Sequence, residues 1–308
     1  MTTILLAFDE GVITAQQQAQ LRQLVPDDKL VQTTDEAKIQ HLLDEIEIAV
    51  GQFPKDLLPS AKRLRWFQQW SAGADWLLEH PDVQQMDFIL TNASGVHATP
   101  ISEHIFAFLL AFARNLPQAW QAQQEHIWME ENDGDGEERS KNGQAKNITT
   151  YSRNDVFELA GKSMLLIGLG DIGERTAQIA TAFGMGVIGL RHNPDQETPG
   201  VAQMVGPDEL FTVLPHADIV VSTVPLTEET QHFLGQQAFD TMKQGAYLIN
   251  IGRGGTIDEA ALIAALQSGK LVGAGLDVFE EEPLPADSPL WEMKNVIITP
   301  HSSGATPH

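Results

Sequence analysis

Residues 168–173 have the sequence Gly-Leu-Gly-Asp-Ile-Gly, and this G-x-G-x-x-G spacing can bind the phosphates of a dinucleotide. The apolar residues 164–167 before it predict a strand, and the amphipathic segment after it predicts a helix. In this context the first glycine permits a tight turn, the second lets the backbone approach a pyrophosphate, and the third lets helix and strand pack closely. Free N–H groups at the helix N-terminus would bind the pyrophosphate. The residues expected to bind the dinucleotide here are Gly168, Gly170, Asp171, Ile172 and Gly173.

The end of the next predicted strand, Gly186–Leu190, indicates which nicotinamide cofactor is bound. A site for NAD places Asp or Glu there to bind the ribose 2′-hydroxyl. This chain instead has Arg191, followed by His192 and Asn193. A guanidinium can bind a 2′-phosphate through two hydrogen bonds, and the neighbouring side chains can add donors. We therefore expect a preference for NADP(H). The alternative is that Arg191 only stacks on the adenine and that NAD(H) is used as well.

Three further segments place charged side chains at or just beyond the ends of predicted strands, where ligands bind in open parallel sheets. Residues 250–254 are Asn-Ile-Gly-Arg-Gly, residues 275–285 contain three consecutive glutamates, and residues 299–304 are Thr-Pro-His-Ser-Ser-Gly. An arginine can neutralise a carboxylate and polarise a carbonyl. An imidazolium can protonate an oxygen, and a carboxylate behind it favours its charged form. These residue types suit the reduction of a ketone by hydride.

Together with the glycine loop, these segments resemble the D-isomer-specific 2-hydroxyacid dehydrogenase family, from about residue 71 to residue 304. The resemblance implies that Arg253 binds the substrate, that Glu282 orients the histidine and that His301 is the general acid/base. Reduction then needs protonated His301, and oxidation needs it neutral. The alternatives are a surface role for Arg253, a capping or core role for His301, and Glu280 or Glu281 in place of Glu282.

The same resemblance implies further binding residues. The backbone N–H groups of Ser71, Ala72 and Gly73 would receive the substrate carboxylate. The Ile251 backbone and the Asp277 carboxylate would hold the nicotinamide carboxamide, with a local turn cap as the alternative role for Asp277. The remaining residues of the cofactor set are Thr223, Pro225, Thr230 and Gly304. His97 and His104 come close to the expected site, but no role is assigned to them.

The expected activity is the reversible reduction of small 2-keto acids to D-2-hydroxy acids with NADPH. A glyoxylate/hydroxypyruvate reductase is an alternative within the same reaction class. A second alternative is a dinucleotide-sensing protein without catalysis, as in transcriptional corepressors of this fold. Substrates such as formate or phosphonate would need other side chains near the carboxylate loop.

Acidic residues are in large excess, with 42 Asp and Glu against 19 Lys and Arg and a net charge of −23. Such a surface repels nucleic acid and anionic lipid, so neither is expected as a partner. The acids are spread along the chain, which indicates adaptation to high salt, where mutual repulsion is screened; an ordinary acidic cytosolic protein is the alternative. An anionic substrate therefore needs a local cation.

The chain has no cysteine, which excludes disulfides, thiolate nucleophiles and cysteine-based zinc sites, and no metal site is expected. The first ten residues lack a basic region, and their apolar run stops at Asp9, which predicts a strand and not a signal peptide. The longest apolar stretch, Ile105 to Ala113, is too short to span a bilayer. These features predict a cytoplasmic protein.

The alternation of short apolar runs with amphipathic segments predicts α/β architecture with parallel sheets. We expect two doubly wound parallel-sheet domains: a flavodoxin-like substrate domain at residues 1–97 and a Rossmann cofactor domain at residues 98–300, followed by a short tail at 301–308. The predicted strands are Ile4–Phe8, Ile46–Val50, Phe88–Thr91, Ser163–Gly168, Gly186–Leu190, Asp218–Thr223, Ala246–Ile251, Leu271–Leu276 and Val296–Thr299. The predicted helices are Thr14–Val25, Asp35–Leu43, Ile172–Phe183 and Glu259–Gln267.

A long helical pattern runs from about Ser102 to Trp128 and is interrupted near Pro117. The polar stretch at 130–155 after it predicts a loop or mobile insertion. In the family that the chain resembles, the nearby helix forms a dimer interface. We therefore expect a homodimer.

Overall fold

The computed structural model describes residues 1–131, 148–152 and 155–306, and the chain divides into two compact units, Met1–Val96 and His97–His308. The first unit contains a five-stranded parallel sheet of order β2-β1-β3-β4-β5, which is the flavodoxin-like order. Its strands are β1 (Thr3–Ala7), β2 (Lys29–Gln32), β3 (Ile46–Gly51), β4 (Trp66–Gln69) and β5 (Ile89–Thr91). Its α-helices are α1 (Ala15–Leu24) and α2 (Glu36–Leu42), and short 3₁₀ helices cover Lys55–Ser60, Asp75–Leu78 and Val83–Gln85.

Alternation along β1 builds a core on each face of this sheet. Ile4 and Leu6 pack with residues of α1 on one face, and Leu5 and Ala7 pack with residues of α2 on the other. Thr14 caps α1 through a capping box, since its hydroxyl accepts from Gln17 N and the Gln17 side chain accepts from Thr14 N. The predicted helix thus has a defined start.

The second unit contains a seven-stranded parallel sheet of order β10-β9-β8-β11-β12-β13-β14, in which successive strands are added toward one edge up to β10 and toward the other edge from β11 onward, so that the strand order reverses between β8 and β11. Its strands are β8 (Ser163–Ile167), β9 (Gly186–Leu190), β10 (Gln203–Val205), β11 (Ile219–Ser222), β12 (Ala246–Asn250), β13 (Leu271–Leu276) and β14 (Val296–Ile298). Two further strands, β6 (Trp128–Glu131) and β7 (Ile148–Tyr151), form a separate parallel pair. The helices are α3 (Ala98–Ala113), α4 (Leu116–Gln124), α5 (Asp171–Ala182), α6 (Leu210–Val213), α7 (Gln236–Thr241) and α8 (Glu259–Gln267).

Both faces of the larger sheet are covered, which explains why its central strands are mainly apolar. Leu165 and Ile167 face a core shared with α6, α7 and α8. Met164 and Leu166 face a second core shared with α3 and α5. The result is the doubly wound arrangement that the alternation predicts, with every strand of this sheet ending at the same edge.

The long helical pattern is not one helix. It begins earlier than predicted, at Ala98, because Pro100 lies in the first turn, where a missing N–H costs nothing. It breaks at Asn115, whose φ of 53° is left-handed, and α4 then starts with Pro117 in its first turn. Trp128, predicted as helical, belongs to β6.

The polar stretch at 130–155 falls largely outside the described residues. Its described part includes β7, where the sequence predicted a loop. The strands β2, β4 and β10 were not predicted; β2 and β10 are short strands at sheet edges, and β4 ends in Gln68 and Gln69. Residues 301–306 belong to the second compact unit.

Candidate active site

The glycine loop joins β8 to α5, and its geometry suits a phosphate group. Gly168 has a φ of 97°, and a Cβ there would lie 2.7 Å from the Thr223 Oγ1. A Cβ on Gly173 would collide with the carbonyl oxygen of Gly168. Nothing lies within 4 Å of a Cβ built on Gly170, so the backbone there is open to a ligand. Gly170 is also the N-cap of α5, and it has no side chain that could accept hydrogen bonds from the first turn. The first N–H groups of that helix are therefore available to an anion.

Asp171 and Ile172 form the first turn of α5, as the motif requires. Thr223 closes the loop from the adjacent strand, since its hydroxyl donates to the Gly168 carbonyl at 3.0 Å. This bond joins the ends of β8 and β11 at the point where the strand order reverses. The residues present therefore fit the pyrophosphate of a dinucleotide.

Arg191 lies directly after β9 and is partly buried. Its backbone N–H donates to Val205 O, and its Nη1 is 3.5 Å from the hydroxyl of the buried Thr198. His192 and Asn193 are exposed beside it. The carboxyl end of β9 therefore carries a positive group and polar neighbours where an acidic residue would stand in a site for NAD.

The loop after β11 is held by Thr230. Its hydroxyl donates to Pro225 O at 2.7 Å and accepts from Thr227 N at 2.8 Å. The Thr230 side chain thus stabilises the conformation of its own loop, and Pro225 takes part through its carbonyl.

Arg253 lies on a tightly packed turn after β12. A Cβ on Gly252 would lie 2.5 Å from Val224 O, and one on Gly254 would overlap the backbone of Phe279. The Arg253 Nη1 donates to Gly252 O at 2.7 Å. Ile251 precedes the turn, is buried, and donates its N–H to Ser222 O. Close backbone contacts with two neighbouring loops therefore fix the position of the arginine.

Asn250 organises this turn, although no role was predicted for it. It is 1% exposed, its Oδ1 accepts from Gly252 N at 3.2 Å, and its Nδ2 donates to Arg253 O at 3.1 Å. The Thr256 hydroxyl also donates to Arg253 O, at 2.7 Å. The sequence does contain a signal for this role: Asn250 is a polar residue at the end of an otherwise apolar strand, just before the glycines.

His301 and Glu282 form a close pair. The His301 Nδ1 lies 2.7 Å from the Glu282 Oε2, and Glu282 Oε1 accepts from the Phe279 N–H at 3.0 Å. The two side chains are 47% and 35% exposed, so the imidazole has a free face for a ligand. With Nδ1 bonded to a carboxylate, the imidazole carries its proton on that nitrogen when neutral, and Nε2 is left to exchange a proton.

The neighbouring glutamates have other surroundings. Glu280 Oε1 lies 2.8 Å from the His232 Nε2 and accepts from Glu259 N. Glu281 is exposed. Burial, opposed by a hydrogen bond from the Glu280 N–H, raises the pKa of Glu259, and the charges of Glu280 and Glu281 add to the increase. Of the three consecutive acids, Glu282 is the one that contacts His301.

Asp277 follows β13 and is completely buried. Its Oδ1 accepts from Ser302 N at 2.8 Å and from the Thr299 hydroxyl at 2.5 Å, and its Oδ2 accepts from Ser303 N at 2.9 Å. It therefore caps the turn that carries His301, which is the alternative role that the sequence left open. Gly304 ends this turn, and a Cβ on it would lie 3.4 Å from the His97 ring.

Ser71, Ala72 and Gly73 lie in the first unit, directly after β4. Gln69, which is 1% exposed, organises this loop: its Nε2 donates to the carbonyls of Ser71 and Gly73 and to the Ser71 hydroxyl. Its Oε1 accepts from Trp76 Nε1 at 2.8 Å. Asn92 Nδ2 donates to Ala72 O at 2.7 Å. Sequence reasoning missed Gln69, which stands two residues before the loop.

The second unit therefore brings its candidate residues to one edge, the carboxyl end of the seven-stranded sheet. Within the described part of the chain, no group of three or more His, Asp or Glu side chains could hold a metal ion. Over the same residues, no helix is long and apolar enough to cross a membrane.

Residues 106–303 match the model of the D-isomer specific 2-hydroxyacid dehydrogenase family, NAD binding domain. The chain belongs to this family. Among other family members, the D-3-phosphoglycerate dehydrogenase of Methanocaldococcus jannaschii is 34% identical over 255 residues, which cover 82% of this chain and 44% of that protein. The chain thus spans less than half of that relative.

Two solved structures are similar to this chain over nearly its full length. A family protein from Aeromonas salmonicida subsp. salmonicida A449 is 34% identical, with a TM-score of 0.76, over 98% of this chain and 89% of that one. The NADPH-dependent glyoxylate/hydroxypyruvate reductase of Sinorhizobium meliloti, in complex with NADP and sulfate, is 26% identical, with a TM-score of 0.77, over 99% and 90%. Family membership and the observed geometry agree on a dinucleotide site at the glycine loop.

Proposed function

We propose that this dehydrogenase reduces small 2-keto acids to D-2-hydroxy acids with NADPH, in a reversible reaction. The observation that carries the proposal is the His301–Glu282 pair, at 2.7 Å, on the same sheet edge as the open glycine loop and Arg253. A proton donor, a fixed cation and a dinucleotide cradle are the groups that this reduction needs.

His301 acts as the general acid in reduction and as the general base in oxidation. The bound cofactor supplies the hydride. As negative charge develops on the substrate carbonyl oxygen, the His301 Nε2 donates a hydrogen bond and then a proton to it. Glu282 holds Nδ1 and stabilises the imidazolium that is needed before each reduction.

Arg253 binds the substrate carboxylate and stabilises charge on the carbonyl oxygen. The local cation is needed because the protein as a whole, at −23, repels anions. We further propose that the backbone N–H groups of Ser71, Ala72 and Gly73 receive the carboxylate. Gln69 supports this role, since it engages carbonyl oxygens of that loop and not its N–H groups.

Cofactor choice rests on Arg191. The Arg191 guanidinium at the end of β9 would bind a 2′-phosphate, and the exposed His192 and Asn193 lie beside it. The NADPH-dependent relative from Sinorhizobium meliloti supports the same preference. Thr223, Pro225 and Thr230 would line the adenosine side, and Ile251, Asp277 and Gly304 the nicotinamide side.

Steady-state kinetics with a chain-length panel of 2-keto acids, each with NADPH and with NADH, tests the proposal. The panel includes glyoxylate and hydroxypyruvate, the substrates named for that relative. We expect turnover with at least one acid and a higher kcat/KM with NADPH. Arg191→Asp should reverse the preference. Tight NADPH binding without turnover of any acid would instead indicate a dinucleotide-sensing protein.

We also propose a homodimer formed through α4 and β6. Trp120 and Trp128 are 64% and 72% exposed, and Leu116 is 51% exposed, so α4 and β6 present large apolar side chains to solvent. Sedimentation of wild type and of a Trp120→Glu, Trp128→Glu variant measures the assembly; a monomeric wild type would contradict it.

The charge excess supports a protein that works in the cytoplasm of a cell rich in salt. Screening of repulsion should then stabilise the fold. Melting temperatures in dilute buffer and in molar potassium chloride measure this effect, and equal values would overturn the high-salt part of the proposal.

A further inference from the structure

His301 adopts a backbone conformation that needs support. Its φ is 51°, in the left-handed region. Residues other than glycine adopt this region at a cost of roughly 1 kcal/mol. The turn is held by backbone bonds from His301 N to Asp277 O at 2.8 Å and to Thr299 O at 3.0 Å. The position of the proposed acid/base therefore depends on contacts of residues 277 and 299.

The Asp277 carboxylate is the centre of these contacts, and its acceptor sites can be counted. A carboxylate has about four lone-pair sites. Oδ1 uses two, for the Thr299 hydroxyl and Ser302 N, and Oδ2 uses one, for Ser303 N. Three of these sites are therefore used, all by residues 299–303, so the buried carboxylate organises the whole turn that carries His301.

The orientation of the Thr299 hydroxyl is determined by His104. Because the Thr299 hydroxyl gives its only proton to Asp277, its oxygen must accept from the His104 Nε2, which lies 3.0 Å away. The neutral His104 ring then carries its proton on Nε2. The His104 ring is oriented by edge-to-face packing against Phe108 on the same helix, α3, with ring centroids 4.6 Å apart. A chain of three side chains thus links the body of α3 to the turn that carries His301.

We propose that His104 and Thr299 are positioning residues: the His104 Nε2–H orients the Thr299 hydroxyl toward Asp277 Oδ1, and this fixes the turn that carries His301. The inference rests on the proposed function for its effect on catalysis, but the tautomer of His104 does not depend on that function. Both residues lie outside the glycine loop and outside the Arg253 and Glu282 segments.

The test compares variants that keep the hydrogen bond with variants that remove it. Thr299→Val and His104→Phe remove a donor at nearly constant volume, whereas Thr299→Ser and His104→Gln keep one. We expect kcat to fall about 10- to 100-fold in Thr299→Val and His104→Phe, which corresponds to about 1.4–2.8 kcal/mol in the barrier. The KM for the keto acid should change less than kcat, and Thr299→Ser and His104→Gln should recover most of the rate.

Thr241→Val is the matched control, because the Thr241 hydroxyl donates to Gln237 O within α7. It should leave kcat unchanged. If Thr299→Val and His104→Phe lower the melting temperature but leave kcat and KM unchanged, the residues are merely structural and the proposal is wrong. Equal loss of kcat in Thr299→Ser and Thr299→Val would also overturn it.

A second measurement is independent of activity. Long-range ¹H–¹⁵N spectra of histidine-labelled wild type, with the His104→Gln variant to assign the signal, report which ring nitrogen carries the proton. We expect His104 as the Nε2–H tautomer, and the His301 signal should shift in Thr299→Val. An Nδ1–H tautomer of His104 would refute the inference whatever the enzyme turns over. If the tautomer is as expected but no keto acid reacts, the proposed function fails instead.

Discussion

Two loops proposed to handle the substrate are each held by one buried polar side chain, and the two side chains differ in charge. Gln69 holds the loop of Ser71, Ala72 and Gly73 through a neutral amide that donates to backbone carbonyls. Asp277 holds the His301 turn through a carboxylate that accepts from backbone N–H groups. Both side chains are almost completely buried, at 1% and 0% exposure.

The roles proposed for the two loops suit this difference. The loop proposed to receive a carboxylate through its N–H groups is organised through its carbonyls, and Gln69 adds no negative charge there. The His301 turn is organised through its N–H groups by a carboxylate, whose charge does not oppose an imidazolium. The buried group therefore fixes the shape of each loop with a charge that is compatible with the role proposed for it.

Removal of the imidazole should have the largest effect. His301→Ala should lower kcat about 10³-fold, within the range of a lost general acid, because no other group on this turn can protonate the substrate oxygen. The affinity for NADPH, measured by fluorescence titration, should stay within about threefold, a change worth less than 1.4 kcal/mol. His41→Ala, on the exposed end of α2, is the control. Loss of NADPH binding in the His301 variant would show that the residue serves the cofactor and not proton transfer.

A charge placed under the first loop should damage substrate binding. Gln69→Glu sets a carboxylate against the carbonyls of Ser71 and Gly73, and we expect KM for the keto acid to rise about tenfold or more. The exposed Gln52→Glu adds the same charge without this contact and should leave KM unchanged. Gln69→Met, which adds no charge, separates loss of the hydrogen bonds from repulsion. An unaltered KM in a folded Gln69→Glu enzyme would break the comparison between the loops.

The charge beside the imidazole should control the pH dependence. Glu282→Gln removes the carboxylate that favours the imidazolium, so the fall of the reductive rate with rising pH should occur at lower pH than in wild type. Glu280→Gln should keep the wild-type profile, since Glu280 pairs with His232. Profiles of kcat/KM between pH 5 and 9 measure the shift. A shift in the Glu280 variant alone would assign the orienting role to that residue.

The smallest effect is expected from the titration of Lys55, which lies near Trp76, the ring that donates to Gln69 just before the first loop. Burial lowers the pKa of Lys55 to about 8, although its ammonium lies 4.6 Å from the ring of Trp76, a contact that favours the charged form. Between pH 8 and 10.5 the unfolded chain then binds more protons than the folded one, so the free energy of unfolding should rise with pH. The rise should stay below about 1 kcal/mol, because the lysine is partly solvated. Urea denaturation at pH 7 to 10 should show it in wild type and not in Lys55→Met.

Much of the second unit was predictable because its strands are buried on both faces and carry apolar runs such as Met164–Ile167. The strand β4 was not predictable in this way: Gln68 and Gln69 interrupt the pattern, and their amides are satisfied by partners that sequence patterns do not show. The Glu282–His301 contact was expected on the resemblance, and the structure has it.

The positioning residues were harder to find. His104 and Thr299 are 195 positions apart, so no local spacing connects them. Asn250 lies within a segment that the sequence singled out, yet its role consists of two bonds to the adjacent turn. Sequence motifs indicate residues that are expected to contact a ligand. The residues that position them are brought together by the tertiary fold and have no fixed spacing in the sequence.

The three consecutive glutamates are not interchangeable, because each has different contacts. Glu280 bonds His232 and the first backbone N–H of α8, Glu281 is exposed to solvent, and Glu282 bonds His301. An insertion or deletion of a single residue before this run would keep the three glutamates but would change which of them lies beside His301. When relatives are aligned, the register here is therefore best anchored on Phe279, whose N–H is bonded to Glu282, and not on the acids themselves.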